Sequence, residues 1–330
     1  MLKGCCMFRT LNLLVVLGIS VCSVLAGVCK AGASGPVQPE PAEAPVPCSA
    51  ASSAVAHLAA QKQAQPAAAG AAPSEGLADS VDLAAWVAAV RPRIEQLSGR
   101  AFTRDVPVRT VTQDQFAEIL AVSIEEDMRR RDPDADALKR HVLAMSAAYR
   151  VATRTLGAYR YEDRSLLVIP ESAERLGRAQ GWSVQTRERV IRLAAAHELV
   201  HALQDQTTDV RTRIADVRGD QLTALIAVLE GQAILVTDQL AAELAWQSAG
   251  SALFRLVAPE ESPGGRPDPQ APPVTRLAPT ASTYRLGAEF IRNEYAQGGI
   301  DRVWALVADP PREVSSIGQL SPKETPGSGP

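Results

Sequence analysis

Cysteine is scarce and poorly placed for crosslinking: of five in 330 residues, Cys5, Cys6, Cys22 and Cys29 lie within the first 33, and Cys48 stands alone beyond them. A disulfide framework is thereby excluded, so a folded domain must stand on its apolar core. A basic surplus is missing too. Lys and Arg total 34 against 37 Asp and Glu, a formal charge of −3 with no Lys/Arg-rich block, so no nucleic-acid partner is expected. With 46% hydrophobic and 22% charged residues, the composition is that of a soluble globular protein and excludes collagen, coiled coil and polytopic membrane protein. Acidic tails and internal repeats are absent. Histidine is rare, with only His57, His141, His197 and His201 in the chain.

What is present begins with an export signal. Lys3 and Arg9 precede an uncharged run from Leu11 to Cys29, and Ala31-Gly32-Ala33 offers a small-residue cleavage site before Ser34, so residues 1–33 read as a signal peptide and the protein as exported to a periplasmic, cell-envelope or extracellular location. Left uncleaved, the same run would serve as an N-terminal membrane anchor, the sole membrane contact expected. Lipid attachment at Cys29 is disfavoured because Val28 stands where a lipobox needs a small residue. Residues 34–78 read as a disordered linker: Ala31 to Glu75 holds 16 Ala and 7 Pro and no aromatic, too little apolar surface to offset backbone ordering.

One domain is expected over 79–320. Ser80 can cap a helix with Leu83, Trp86, Val87, Val90 and Ile94 on one stripe. Val106 to Val111 reads as a strand, at an edge because of Pro107. Thr112 and Gln115 form a capping-box pattern opening a helix to about Arg130, and Asp132-Pro133-Asp134 separates it from another reaching about Ala152. Leu156 to Tyr161 and Ser165 to Ile169 suggest a hairpin closed by Pro170. Long helical patterns run from about Ser183 to Gln206 and from about Asp216 to Trp246, with shorter ones from Tyr284 to Tyr295 and Arg302 to Val307, ended by Pro310-Pro311. Pro259 to Pro279 holds seven prolines, so 258–280 is expected as a loop, and 321–330 as a disordered tail. Helices dominate, with a small sheet before the Ser183–Gln206 pattern; the fold class is α+β.

The chemistry is concentrated in His197-Glu198-Leu199-Val200-His201. On a helix, a spacing of four puts both imidazoles on one face, one turn apart, where they can share a tetrahedral metal. Glu198 is rotated by about 100°, which lets its carboxylate serve a water as general base without ligating the metal. The histidines also fall on the apolar stripe of Val190, Leu193 and Ala194, where an unliganded pair would have little to bond to. A third donor is needed. His57 lies in the linker and His141 on a separate helix with a surface or capping role, while Gln204 and Thr207 contradict the metzincin continuation. Glu230 is the best candidate, a carboxylate on the margin of the stripe formed by Leu222, Leu225, Ile226, Leu229 and Ala233. Asp205 or Asp220 could hold the far nitrogen of an imidazole, or simply face solvent.

His197 to His201, continued by Ala202-Leu203-Gln204-Asp205-Gln206 and followed by Glu230-Gly231-Gln232-Ala233, resembles the gluzincin branch of zinc metallopeptidases, and is most similar to a group of exported bacterial zincin-like proteins. The resemblance is specific over about Val184 to Ala233 and extends weakly to Tyr284, Gly298-Gly299 and Pro310-Pro311. It implies a zincin-like metallopeptidase fold and one Zn2+ per chain held by His197, His201 and Glu230. It further implies hydrolysis of a peptide or protein substrate by a zinc-activated water with Glu198 as general base and later proton donor. Tyr284 is a candidate to stabilise the oxyanion, and the hairpin a candidate edge strand for extended substrate. Ile234 replaces the acidic residue that thermolysin-like enzymes place four positions after the ligand Glu. The alternative is a catalytically inactive zincin-like envelope binding or scaffold protein with a structural metal.

Overall fold

The computed structural model describes residues 82–258 and 281–318, all within one contact unit. The signal peptide, the linker, Ser80, the Pro-rich loop and the tail lie outside the described residues. In chain order the elements are α1 (Leu83–Ser98), β1 (Val108–Thr110), α2 (Gln113–Arg131), α3 (Ala137–Ala152), β2 (Gly157–Arg160) and β3 (Ser165–Val168). They continue with α4 (Pro170–Ala179), α5 (Val184–Thr208), α6 (Val210–Asp216), α7 (Gly219–Glu243), α8 (Gln247–Val257), α9 (Ala281–Ala308) and α10 (Val314–Gly318). The protein is mostly helical with a small sheet, an α+β arrangement.

Helix starts follow local chemistry. The Asp82 side chain, not Ser80, caps α1 by accepting from the Ala85 amide, and the expected stripe buries Leu83, Val87, Val90 and Ile94. Thr112 and Gln115 form the reciprocal capping box of α2, a feature worth about 1 kcal/mol. Asp136 caps α3 beyond the Asp132-Pro133 break, and Ser183 caps α5. Four helices escape the hydrophobic pattern, the short α10 beyond Pro310-Pro311 among them. Helix α4 opens with Pro170 as its first residue, where a missing N–H costs nothing. Helix α6 is split from α5 at Asp209 (φ 49°), and the expected Asp216–Trp246 helix ends at Glu243, with α8 starting afresh at Gln247. The two helices expected near the C-terminus are joined in α9, which breaks direction at Gly299 (φ 66°).

The sheet has the order β1-β3-β2, with β1 parallel and β2 antiparallel to β3. The hairpin is therefore present, and β1 is at an edge as Pro107 implied. Side chains alternate: Tyr159, Leu166 and Val168 join the core around α5, whereas Ala158, Leu167 and Ile169 join a second cluster made by α2 and α3. With both faces covered, all of β3 is buried.

Behind the sheet, α5 packs on α7, and both are flanked by α1, α8 and α9. Helix α7 is long and apolar enough to cross a membrane, yet 89% of its most apolar window is buried inside the protein; it is the central core helix. Its closest neighbour is α9. A Cβ on Gly231 would run into the Gly287 carbonyl, and one on Gly287 into the Ala227 carbonyl, so only paired glycines let these two backbones meet. This close approach brings Tyr284, one turn before Gly287, beside Glu230.

Candidate metal centre

His197 and His201 project from α5 and Glu230 from α7, and their side chains meet inside the core. Glu198, His201 and Glu230 are 0% exposed and His197 4%. His197 Nε2 lies 3.1 Å from Glu230 Oε2, His201 Nε2 lies 3.5 Å from the same oxygen, and the two Nε2 atoms are 3.2 Å apart. These three edges match one face of a tetrahedron, because ligand atoms 2.0–2.1 Å from a common ion sit roughly 3.3 Å apart. The buried group of His197, His201 and Glu230 could therefore hold a metal ion. His57 lies outside the described residues, and His141 is exposed on α3, paired with Glu125 at 2.9 Å.

The electrostatics show how tightly the three groups are coupled. Burial opposes charge on both partners, but mutual attraction outweighs it. The Glu230 carboxylate, joined by Glu198, raises His201 to about 9, and the His201 and His197 rings hold Glu230 down at about 2. Without a cation between them they form a buried ion pair.

Glu198 is held differently. The Tyr159 amide of β2 donates to its Oε2 at 2.8 Å, while Oε1 is buried with no hydrogen-bond partner among the described residues. Burial pushes its carboxyl upward against the pull of the two imidazoles, the direction a general base requires. Gly157 opposes it in β2, where a Cβ would lie 3.2 Å from Glu198 Cγ. The hairpin is thus packed directly against the metal-site helix.

Neither Asp205 nor Asp220 holds an imidazole. Asp205 accepts from the Tyr159 hydroxyl at 3.0 Å and the Arg211 amide at 3.2 Å, and Asp220 is exposed at the start of α7. The residue that bonds His201 is Gln204, whose Oε1 lies 2.8 Å from Nδ1. Sequence reasoning missed it by considering carboxylates alone; its signal was a position three residues after His201, on the same helix face. Also missed was Tyr161, whose buried hydroxyl has no hydrogen-bond partner among the described residues. Burial first, then Asp205, Glu230 and Glu198, push its phenol well above the ordinary value. Tyr284 is buried against Glu230, with its phenol likewise pushed well up by burial and by the Glu230 and Glu198 charges. Both phenols stay protonated.

A small, largely apolar cavity of about 20 Å³ adjoins the centre at His197, lined by Ile234, Thr237, Leu253, Phe254 and Val257. Ile234, where thermolysin-like enzymes carry an acid, forms part of its wall.

No protein-family model matches the chain, and no curated protein matches it. Among solved structures, it is similar to a candidate hydrolase with a novel fold from Chloroflexus aurantiacus, at 17% identity over 80% of this chain and 93% of that one, with a TM-score of 0.44. A likeness this remote leaves the chemistry to be decided by the buried cluster.

Proposed function

We propose that the protein is an exported, zinc-dependent peptide hydrolase with a zincin-like fold of the gluzincin type. The observation that carries this reading is the 3.1, 3.2 and 3.5 Å triangle of two imidazole nitrogens and one carboxylate oxygen. Its two-nitrogen, one-oxygen donor set is that of catalytic zinc sites with an open fourth position. Bound there, zinc would polarise a carbonyl and make a water acidic enough to attack at neutral pH.

The chain's own groups supply the rest. Glu198, anchored through Oε2 to the Tyr159 amide, uses its unpartnered Oε1 to take the proton of the attacking water. As the new C–O bond forms and the C–N bond breaks, it returns that proton to the leaving amine. The protonated hydroxyls of Tyr161 and Tyr284 are the nearby neutral donors for the developing oxyanion. Export rests on the Leu11–Cys29 run and the small residues before Ser34.

Metal analysis of the purified protein, paired with turnover of a peptide library by wild type and Glu198→Gln, tests this reading. One zinc per chain with activity lost in the variant supports it; unchanged turnover in the variant overturns it. The near-complete burial of all four groups favours a second reading, a structural metal in a catalytically inactive binding or scaffold protein. Stoichiometric zinc without hydrolysis of any peptide would decide for that one.

A further inference from the structure

The environment of Gln204 fixes which nitrogen of His201 is available. Gln204 is fully buried on α5, and both ends of its amide are used: Oε1 lies 2.8 Å from His201 Nδ1, while Nε2 donates to the Leu229 carbonyl at 2.8 Å and to Gln232 Oε1 at 3.0 Å. A carbonyl can only accept, so the reversed amide would set two oxygens against each other. The orientation is therefore determined. Oε1 faces the ring, Nδ1 must carry a proton, and Nε2 of His201, which faces His197 and Glu230, is the nitrogen that would exchange its proton for a metal ion.

Leu229 is the residue before Glu230. One side chain thus grips the ring of a donor on α5 and the backbone beside a donor on α7. From these contacts we propose that Gln204 is the positioning residue of the metal centre, a neutral crosspiece that sets the His201 tautomer and locks the two donor-bearing helices in register. This role rests on the metal-site reading above.

Acceptors behind metal-bound imidazoles are commonly carboxylates, carbonyls or water. An amide suits this site for an electrostatic reason. Glu198 and Glu230 already place two carboxylates in a fully buried volume, where a divalent cation balances both charges; a third acid would leave an uncompensated one. Gln204 gives the hydrogen bond without the charge. Its second donor contact, to Gln232, steadies the amide but touches no metal donor, so the two glutamines are separable by experiment.

Zinc affinity is measured by chelator competition for wild type, Gln204→Met and Gln232→Leu, alongside the zinc-free melting temperature of each. Methionine nearly fills the volume and removes all three bonds. Zinc binding should weaken by about 10–100-fold in Gln204→Met and by less than about threefold in Gln232→Leu. In 15N spectra of the zinc-loaded wild type, the His201 ring should carry a slowly exchanging proton on Nδ1. Affinity within about threefold of wild type in Gln204→Met, equal weakening in both variants, or a proton on Nε2 each overturns the role of Gln204. Absence of zinc binding by wild type removes the metal reading itself and this role with it. Should Gln204→Met fail to fold, the wild-type spectrum alone decides.

Discussion

The Tyr159 backbone amide donates to Glu198 Oε2 at 2.8 Å, which makes the acid of the metal-site helix a hydrogen-bonded neighbour of strand β2. An acid buried to 0% exposure would be costly without that bond. One oxygen is committed to the strand and the other is left for chemistry.

Glu198→Gln retains an acceptor for the Tyr159 amide, so the variant should fold and bind zinc as wild type does. Peptide hydrolysis should fall by about 10²–10⁴-fold, the usual contribution of a general base. Steady-state kinetics with parallel metal analysis checks this, and loss of zinc in the variant would show that Glu198 has a different job.

Glu230→Ala deletes a donor and leaves two imidazoles in a dry core. Zinc content should fall from near one per chain to well below, and the melting temperature should become insensitive to added zinc. In wild type, zinc at about 1,000 times its dissociation constant should add about 4 kcal/mol of stability. Thermal melts with and without chelator read both effects.

Gly287→Ala forces a methyl group into the Ala227 carbonyl. Overpacking of this kind costs about 1–3 kcal/mol or more, and urea unfolding should show it. Because α9 must move away from α7, Tyr284 leaves Glu230, and zinc affinity should drop together with stability. A fully stable variant with unchanged affinity would mean that the two helices can separate without disturbing the site.

The zinc-free protein should have a pH optimum of stability from the His201–Glu230 pair. His201, raised from 6.5 to about 9, contributes fully below pH 6.5 and loses its contribution as pH rises through 9. Glu230, lowered from 4.5 to about 2, contributes fully above pH 4.5 and loses its contribution as pH falls through 2. The pair therefore stabilises most between pH 4.5 and 6.5. Urea midpoints in chelator across pH 2–10 should decline on both sides of that window, and zinc should abolish the alkaline decline because it replaces the departing proton. Stability rising steadily from pH 6 to 9 without zinc would contradict the coupling.

Local signals were legible where they act over three or four residues. The Thr112–Gln115 box, the Asp132-Pro133 break and the stripe of α1 all stand where spacing placed them, because capping and amphipathicity are decided within one or two turns. Helices α4, α6 and α8 were not legible. Each is short, and its boundaries depend on Pro170, Asp209 and the turn after Glu243 rather than on a long apolar period.

The sequence by itself determined the donor types and half of their arrangement: a helix that spaces His197 and His201 by four must present both rings on one side, and Glu198 must stand off it. Only the tertiary structure decided that Glu230, 29 residues further on, closes the triangle, that β2 holds Glu198, and that Gln204 rather than Asp205 serves His201. Those relations depend on how α5, α7, α9 and the hairpin pack, at distances no local spacing encodes. The physical reason is the range of the forces: helix periodicity is fixed by neighbouring backbone bonds, whereas a buried site is fixed by which apolar faces, and which paired glycines, allow separate elements to touch.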